Sequence, residues 1–490
     1  MLVRGGHLVD LDDGRSLPAD VRVRSGRVVE VGPGLEPAGE TVLDARGGWV
    51  LPGLWDAHIH VDKYARSAAW VDVSGASGPE EVCARIAVAA ASRPDDGRAL
   101  VAFGYLSASW SRLGTVAELD AVTGERPTVV VAADTHNGWL NSAALATFGL
   151  PTCGGPLAEN DWFAVFGRLD DLPGAAPDPV QEDAAIAALA ARGLTGLVDL
   201  EFDAAYRAWP QRVARGQRSL RVRAAVYPHQ LDEVLAAGWA TGDPLPGGEG
   251  LVTMGPLKVI ADGSMGTRTA WCCDPYSDAP PGVPHQSGAP NYDPAELHDL
   301  MVRAHAGGLT CAVHAIGDRA NAMALDAFAA TGASGTVEHA QLLRRDDVAR
   351  FAALGVVASM QPHHLVADRD TAAELWADRT DRLYLTRSVL AAGGTLALGS
   401  DAPVSPPDPW LTIATAVSRT GDDRPAWHPA EALTPREALA ASVDGRRLVA
   451  GAPGDLVVVD ADPLAADAAG LAAMGVRWTV CAGRVTHEGA

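Results

Sequence analysis

Short apolar runs rich in β-branched residues alternate along the chain with alanine-rich segments in which apolar residues recur every three or four positions. This alternation is typical of repeated βα units around a parallel sheet, because strands covered by helices on their faces are apolar throughout. We predict strands over 49–60, 193–201, 220–228, 253–262, 309–318, 335–341, 355–361 and 394–401. Helices are predicted between them, for example over 179–192, 294–307, 318–331 and 345–354. Eight repeats predict an α/β fold, a (β/α)8 barrel of the TIM type.

Both ends of the chain have a different pattern, with short β-like runs separated by turns. Such short strands cannot bury a core alone, so we expect the two termini to pair into one small β-sandwich. The predicted boundaries are 1–48 and 448–490 for the two parts of the sandwich and 49–447 for the barrel. The segment from about 65 to 152 is too long for an ordinary connection, and we predict an inserted subdomain after strand 1. That position places it over the C-terminal mouth of the barrel.

Composition narrows the class of protein. Of the 490 residues, 48% are hydrophobic and 20% are charged, which are ordinary values for a globular protein. A formal charge of −22 argues against a nucleic-acid partner and favours a small-molecule substrate. Acidic residues near the N-terminus and the lack of an apolar stretch of roughly 18 residues argue against secretion and a membrane partner, so we expect a cytoplasmic protein. The sequence leaves the oligomeric state open, although an acidic barrel of this kind often forms a homodimer.

Several predicted strands end in polar side chains. His58 and His60 end strand 1, and residues two apart on a strand point to the same face. The other strands supply Lys258 (strand 4), His314 (strand 5), His339 (strand 6) and Asp401 (strand 8). Each residue alone has an ordinary structural explanation, such as an ion pair between Lys258 and Asp262. Together, nitrogen and oxygen ligands without a thiolate at one barrel mouth predict a site for Zn²⁺, Mn²⁺ or a similar ion.

Eight motifs follow one another along nearly the whole chain. They are Leu-Pro-Gly-Leu-Trp-Asp-Ala-His-Ile-His (51–60), Asn-Gly-Trp-Leu-Asn-Ser-Ala-Ala-Leu (137–145), Lys-Val-Ile-Ala-Asp-Gly-Ser-Met-Gly-Thr-Arg-Thr-Ala (258–270), His-Ala-Ile-Gly-Asp (314–318), Val-Glu-His-Ala-Gln (337–341), Ser-Met-Gln-Pro-His-His (359–364), Gly-Ser-Asp-Ala-Pro-Val (399–404) and Pro-Gly-Asp-Leu-Val-Val-Val-Asp (453–460). With these motifs the chain resembles the amidohydrolase superfamily. Within it, the chain is similar to the amidohydrolase-3 branch, which includes enzymes like N-substituted formamide deformylase.

The resemblance implies two metal ions, most often zinc, over the barrel mouth. By this analogy His58, His60 and Asp401 hold the more buried ion, and His314 and His339 hold the more exposed one. Lys258, carboxylated on Nζ, would bridge both ions, because a carbamate offers anionic oxygens whereas an ammonium has no lone pair. The ions would generate a bridging hydroxide that attacks the substrate, with Asp401 as the catalytic acid and base.

Other residues are weaker candidates. His136, Trp139, His363 and His364 are candidates for contacts with the substrate, and Asp262 and Arg268 for bracing the loop beside Lys258. The branch usually has glycine before the histidine at 136, where this chain has Thr135, so the backbone geometry beside His136 can differ.

The activity implied is hydrolysis of a C–N bond other than a peptide bond, in an amide, formamide or cyclic amide. Ester hydrolysis, deamination or isomerisation at the same site stays an alternative. A barrel that serves only as a scaffold is a further alternative, against which the complete set of ligand residues argues.

Overall fold

The computed structural model describes the chain except residues 69, 93–96, 108–109, 176–177, 280–285 and 490, and except the side chain of residue 160. The chain forms two compact units. The first comprises Met1–Val61 together with Ile186–Ala490, and the second is Asp62–Ala185. Among the helices of the described residues, none is both long enough and apolar enough to span a lipid bilayer.

Strands from both termini share one sheet in the first unit. They are β1 (Leu2–Asp10), β2 (Arg15–Arg24), β3 (Arg27–Gly32), β4 (Val42–Asp44), β5 (Trp49–Pro52), β19 (Leu456–Val459), β20 (Val476–Cys481) and β21 (Arg484–Glu488). Their order is β21-β20-β19-β5-β1-β2-β3, with β4 beside β1. Valines and leucines from both ends of the chain are buried together against this sheet. The two ends therefore pair as expected, while the two-layer sandwich and the domain boundaries stay predictions.

Eight parallel strands form the barrel, which confirms the predicted α/β fold. They are β6 (Leu54–Ile59), β12 (Leu194–Asp199), β13 (Arg221–Val226), β14 (Val252–Ile260), β15 (Cys311–Ala315), β16 (Gly335–His339), β17 (Val357–Met360) and β18 (Thr395–Leu398). Beyond the last strand, the backbone N–H of Asp401 donates to the carbonyl of His58 at 2.7 Å, and that of His60 donates to Ala402 at 3.0 Å. These hydrogen bonds join the last strand to the first at the C-terminal edge.

Helices follow the strands of the barrel. They are α7 (Ala205–Arg215), α8 (Leu231–Ala236), α9 (Pro294–Ala306), α10 (Asp318–Thr331), α11 (Arg345–Leu354), α12 (Leu365–Leu375), α13 (Thr386–Ala391), α14 (Pro409–Ser418), α15 (Pro435–Ala441) and α16 (Ala468–Ala472). Helix α9 shows how the sequence specifies them. The Asp293 carboxylate caps its first turn, and Leu297, Met301 and Ala304, spaced by three and four residues, are buried.

The prediction of a single strand over 49–60 was wrong, because the chain changes sheets at Gly53. β5 pairs antiparallel with β19 in the terminal sheet, whereas β6 pairs in parallel with β12 in the barrel. A Cβ atom on Gly53 would lie 2.1 Å from Oγ1 of Thr195. Only glycine fits this crossing, because any side chain would overlap Thr195.

The second unit has its own sheet, in the order β11-β10-β9-β8-β7. Its strands are β7 (Val71–Asp72), β8 (Leu100–Tyr105), β9 (Thr128–Ala132), β10 (Asn137–Leu140) and β11 (Leu157–Ala158). The helices of this segment are α1 (Val61–Ser67), α2 (Pro79–Ser92), α3 (Val116–Thr123), α4 (Ser142–Thr147), α5 (Glu159–Phe166) and α6 (Pro179–Ala188). The unit continues to Ala185, beyond the predicted end of the insert near 152.

Candidate metal centre

The first and last strands of the barrel bring His58, His60 and Asp401 together. Nε2 of His58 lies 3.3 Å from Oδ1 of Asp401, and Nε2 of His60 lies 3.4 Å from the same oxygen. Ligands about 2.0–2.2 Å from a tetrahedral zinc ion are about 3.3–3.6 Å apart. The spacing of these side chains and their chemistry therefore fit one metal ion.

A second group of side chains shares Asp401. His339 ends β16, and His364 ends a short 3₁₀ helix, Pro362–His364, that follows β17. Nε2 of His364 is 3.8 Å from Oδ2 of Asp401, and one ligand atom from each of these three residues lies within 4.8 Å of the others. Within the described part of the chain, Nδ1 of His339 and Nε2 of His364 are buried without a hydrogen-bond partner. Such nitrogens are suited to a ligand.

Burial keeps these two imidazoles neutral. It lowers the pKa of His339 well below the ordinary histidine value, and the nearby His314 and His58 lower it further. Burial also lowers the pKa of His364 to about 4. Neutral imidazole is the form that presents a lone pair to a metal ion. Both side chains therefore have the protonation state that a metal ligand needs.

The backbone of this centre is strained. His339 has a φ of 69° and Asp401 a φ of 56°, in the left-handed region that residues other than glycine rarely adopt. Strain of this kind costs about 1–3 kcal/mol per residue and is concentrated at functional sites. In this conformation the side chains of His339 and Asp401 both lie at the C-terminal edge of the barrel.

The carboxylate of Glu338 is paired with Nδ1 of His58, whereas the other ring nitrogen, Nε2, lies near Asp401. Oε2 of Glu338 lies 2.7 Å from Nδ1 of His58, both side chains are buried, and Glu338 also accepts the hydroxyl of Thr336. Burial raises the pKa of Glu338. If Nδ1 donates its proton to this carboxylate, Nε2 keeps its lone pair directed at Asp401. Sequence reasoning missed Glu338, although an acid next to a candidate ligand on a buried strand is an unusual feature.

We expect Glu338→Ala to weaken metal binding by about 10–100-fold, because the imidazole of His58 loses the group that orients it. Glu338→Gln should weaken it less, since the amide oxygen can still accept from Nδ1. Competition with a chromophoric chelator would measure the zinc dissociation constants. An unchanged constant in the alanine variant would contradict the orienting role.

The side chain of Asp56 links β6 to the loop after β18, the two segments that bring His58, His60 and Asp401 together. Its carboxylate accepts the backbone N–H of His58 at 3.1 Å and both the N–H and the hydroxyl of Ser400, at 2.9 and 2.5 Å. Burial raises the pKa of Asp56 to about 6. One side chain of β6 thus fixes the loop in which Asp401 follows Ser400. Sequence reasoning also missed this residue.

Lys258 and His314 lie in the barrel next to these groups. Lys258 is 1% exposed on β14, and its positive charge lowers the pKa of the buried Glu338 against the effect of burial. The ring of His314, on β15, is 4.5 Å from that of His339 between centroids. Among the described residues, His314 belongs to neither three-residue group, although the resemblance assigns it to the ion held by His339.

The two residues predicted to brace the loop near Lys258 have different surroundings. Asp262 is fully buried after β14 and accepts three backbone N–H groups from the loops that follow β14 and β15, and its Oδ1 is 3.5 Å from Nε2 of His314. Arg268 instead forms a half-exposed ion pair with Asp278. Asp262 therefore fixes the backbone beside the centre, and Arg268 ties together its own loop at the surface.

The candidate substrate residues belong to both units. His363 points to α14, with Nδ1 3.1 Å from Oγ1 of Thr415. In the second unit, Nδ1 of His136 is 3.4 Å from Oε2 of Glu159. Trp139 is fully buried in the core of that unit and donates from Nε1 to the carbonyl of Thr115 at 2.9 Å. The whole indole ring of Trp139 is covered in this core, and contact with a substrate at His136, Trp139 and His363 stays a prediction.

Known proteins are similar to this chain along most of its length. The sequence matches the model of the Amidohydrolase family over residues 41–487. Protein LONG AFTER FAR-RED 3 of Arabidopsis thaliana is 28% identical, over 90% of this chain and 82% of its own. N-substituted formamide deformylase of Arthrobacter pascens is 26% identical, over 95% of this chain and 94% of its own. An uncharacterized metal-dependent hydrolase from Pyrococcus horikoshii OT3 has a crystal structure that matches with a TM-score of 0.78 at 25% identity, over 96% of this chain and 99% of that chain.

Proposed function

The chain belongs to the amidohydrolase family of metal-dependent hydrolases, and we propose that it cleaves a C–N bond other than a peptide bond in a small organic amide, formamide or cyclic amide. The observation that carries the proposal is the group of His58, His60 and Asp401, whose nitrogen and oxygen atoms are spaced as zinc ligands. The similarity to N-substituted formamide deformylase over nearly the whole chain favours amide-like substrates. The net charge of −22 also supports a small-molecule substrate rather than a nucleic acid.

His58, His60 and Asp401 would hold the metal ion, which we propose to be zinc. When bound, the ion would supply Lewis acidity at the substrate carbonyl and lower the pKa of water. Asp401 then has a second task. Its Oδ1 is the oxygen nearest His58 and His60, so we assign Oδ2 to take the proton of the attacking water and pass it to the departing nitrogen. The leaving group would otherwise depart as a poorly stabilised amide anion.

Lys258, carboxylated on Nζ, would complete the proposed centre, and its carbamate oxygens would help to hold two zinc ions. Its burial beside the histidines supports this, because an ammonium there would repel a bound cation whereas a carbamate would attract it. Native mass spectrometry of a Lys258→Ala variant should then lack an addition of about 44 Da that the parent protein carries. The carboxylation would be contradicted if the measured masses of the parent protein and of the variant differed by the same amount from the masses calculated from their sequences.

The proposed reaction is tested by supplying the zinc-loaded protein with matched N-substituted formamides, other amides and esters. We expect formate or another carboxylate together with an amine, and we expect a chelator to stop the release. The His60→Asn variant should lose metal and activity together. His7→Asn is a matched control, because His7 stacks on Trp49 in the terminal sheet.

The products separate the alternatives. Release of ammonia with a carbonyl product would indicate deamination, release of an alcohol and a carboxylate from the esters only would indicate an esterase, and a product of unchanged mass would indicate an isomerase. A protein that binds no metal and turns over none of these substrates would support a scaffold instead.

A further inference from the structure

Two aromatic rings form a stack with one of the proposed metal ligands. The ring of Phe202 lies nearly parallel to that of His60, with centroids 5.6 Å apart and planes at 13°. Tyr227 stacks on Phe202 in turn, at 4.7 Å and 27°. We propose that Phe202 is a positioning residue, which holds the imidazole of His60 in the orientation that a metal ligand needs. The inference rests on the proposed function for the ion that His58, His60 and Asp401 would hold.

The backbone of Phe202 is fixed by neighbouring side chains. Phe202 lies three residues after the end of β12, and its N–H donates to Oε1 of Glu201 at 3.0 Å. Its carbonyl accepts a hydrogen bond from Nε2 of Gln230, also at 3.0 Å. Oε1 of the same buried glutamine accepts the backbone N–H of Tyr227. One amide side chain therefore ties the two rings of the stack to each other.

The loop after β12 is also bound to the chain on both sides of His60. The backbone N–H of Leu200 donates to the carbonyl of Ile59, the residue before His60, at 2.8 Å. Oδ1 of the fully buried Asp199 accepts the N–H of Val61, the residue after His60, at 3.3 Å. The loop therefore cannot shift far from His60 without breaking these hydrogen bonds.

The second ring of the stack is anchored as well. Tyr227 is buried, and its hydroxyl donates to the carbonyl of Leu200 at 2.8 Å. Phe202 itself is only half-buried, so its ring is not needed to fill the core of the barrel. A half-buried ring that is nevertheless fixed on every side offers a rigid surface to its neighbour. That neighbour is the imidazole of His60.

This contact differs in kind from the one at His58. Glu338 orients His58 through a hydrogen bond at Nδ1, whereas the parallel ring of Phe202 restricts the rotation of the His60 imidazole about its bond to Cβ. Contacts that orient a ligand histidine raise the affinity of the site for its metal ion. A stacked pair contributes less than a hydrogen bond to a charged group, so the effect at Phe202 should be smaller than that at Glu338.

The test compares Phe202→Leu with Phe202→Tyr by titrating the metal-free proteins with Co²⁺ against a chromophoric chelator. The ion concerned is the one that His60→Asn loses. Leucine is apolar but has no ring, so we expect the dissociation constant of this ion to rise about 5–10-fold and its visible ligand-field absorption to change. Tyrosine supplies a ring again and should restore both. The KM for the best amide substrate should stay the same in both variants.

Phe163→Leu is the matched control. Phe163 is also partly exposed and also packs against a histidine, His136, but it lies in the second unit, with the rings edge to face at 5.4 Å and 71°. This variant should keep the Co²⁺ constant and spectrum of the parent. Circular dichroism and urea unfolding would show whether Phe202→Leu is folded. If it is not, Phe202→Met takes its place with the same expectation, because methionine adapts readily to an irregular space.

Contrary results are distinct from failure of the proposed function. The inference is overturned if folded Phe202→Leu binds Co²⁺ with the constant and spectrum of the parent, or if Phe202→Tyr is as impaired as Phe202→Leu. A higher KM with unchanged Co²⁺ binding would also overturn it, because Phe202 would then contact the substrate instead.

In each of these cases the parent protein can still bind metal and hydrolyse amides. A parent that binds Co²⁺ but cleaves no amide would refute the proposed function, while the Co²⁺ constants would still decide the role of Phe202. A parent that binds no cation would refute both.

Discussion

Replacing Asp401 with asparagine is expected to lower kcat/KM by about 10⁴-fold while the protein stays folded. The carboxylate has two tasks that an amide cannot perform. Its negative charge attracts the cation that His58 and His60 would also hold. Oδ1 of Asp401 lies 3.3 Å from Nε2 of His58 and 3.4 Å from Nε2 of His60. Its second oxygen accepts the proton of the attacking water, and an asparagine side chain is not basic enough to do so.

Steady-state kinetics on the best amide substrate and elemental analysis of metal content would check this. Asp408→Asn is the matched control, because Asp408 is as buried as Asp401 and lies seven residues further along the chain. Asp408 caps α14 through the backbone N–H of Trp410, a task that asparagine also performs well. We expect Asp408→Asn to keep its activity. Substantial turnover by Asp401→Asn at full metal occupancy would contradict the assigned role in proton transfer.

The part of the centre that the sequence predicts best depends on strand periodicity alone. His58 and His60 are two residues apart at the end of the predicted strand, so the rule for side-chain direction is enough to predict both on one face. The eight repeats place Asp401 on the strand that returns to the first, and the backbone hydrogen bonds at His58 and Ala402 show that closure. Both steps use only local patterns and the known order of strands in a barrel.

Other features depend on contacts between distant segments, which one sequence does not reveal. The change of sheets at Gly53 depends on the close contact with Thr195, which lies on another strand. The apolar residues continue through Gly53, so the sequence pattern does not mark this change. Glu338 meets His58 only through the fold. Asp56 lies two residues before His58, but its contacts with Ser400, after the last strand, appear only in the folded chain. His364 lies in a single 3₁₀ turn after β17, which is too short for a periodic pattern to fix the direction of its side chain. Its place beside Asp401 follows from the fold of β17 and β18.

Replacing Asp262 with alanine is expected to reduce the free energy of unfolding by about 3–5 kcal/mol. Oδ1 accepts the N–H of Ile316 at 3.0 Å, and Oδ2 accepts those of Gly317 and Trp271, both at 2.8 Å. These donors lie in two different loops at the C-terminal edge of the barrel. Without the carboxylate, three backbone N–H groups lose their partner at a place where Asp262 is fully buried.

The midpoint of urea unfolding and the yield of folded protein would measure the effect. Asp262→Asn should be less harmful, because its amide oxygen can still accept two of the three N–H groups if it takes the position of Oδ2. Asp278→Ala is the control within the same loop, since its ion pair with Arg268 is partly exposed and such pairs contribute about 0–1 kcal/mol. An alanine variant at 262 that unfolds at the same urea concentration as the control would mean that water satisfies these donors. The loops beside His314 would then be held by packing alone, and the position of that histidine would not depend on Asp262.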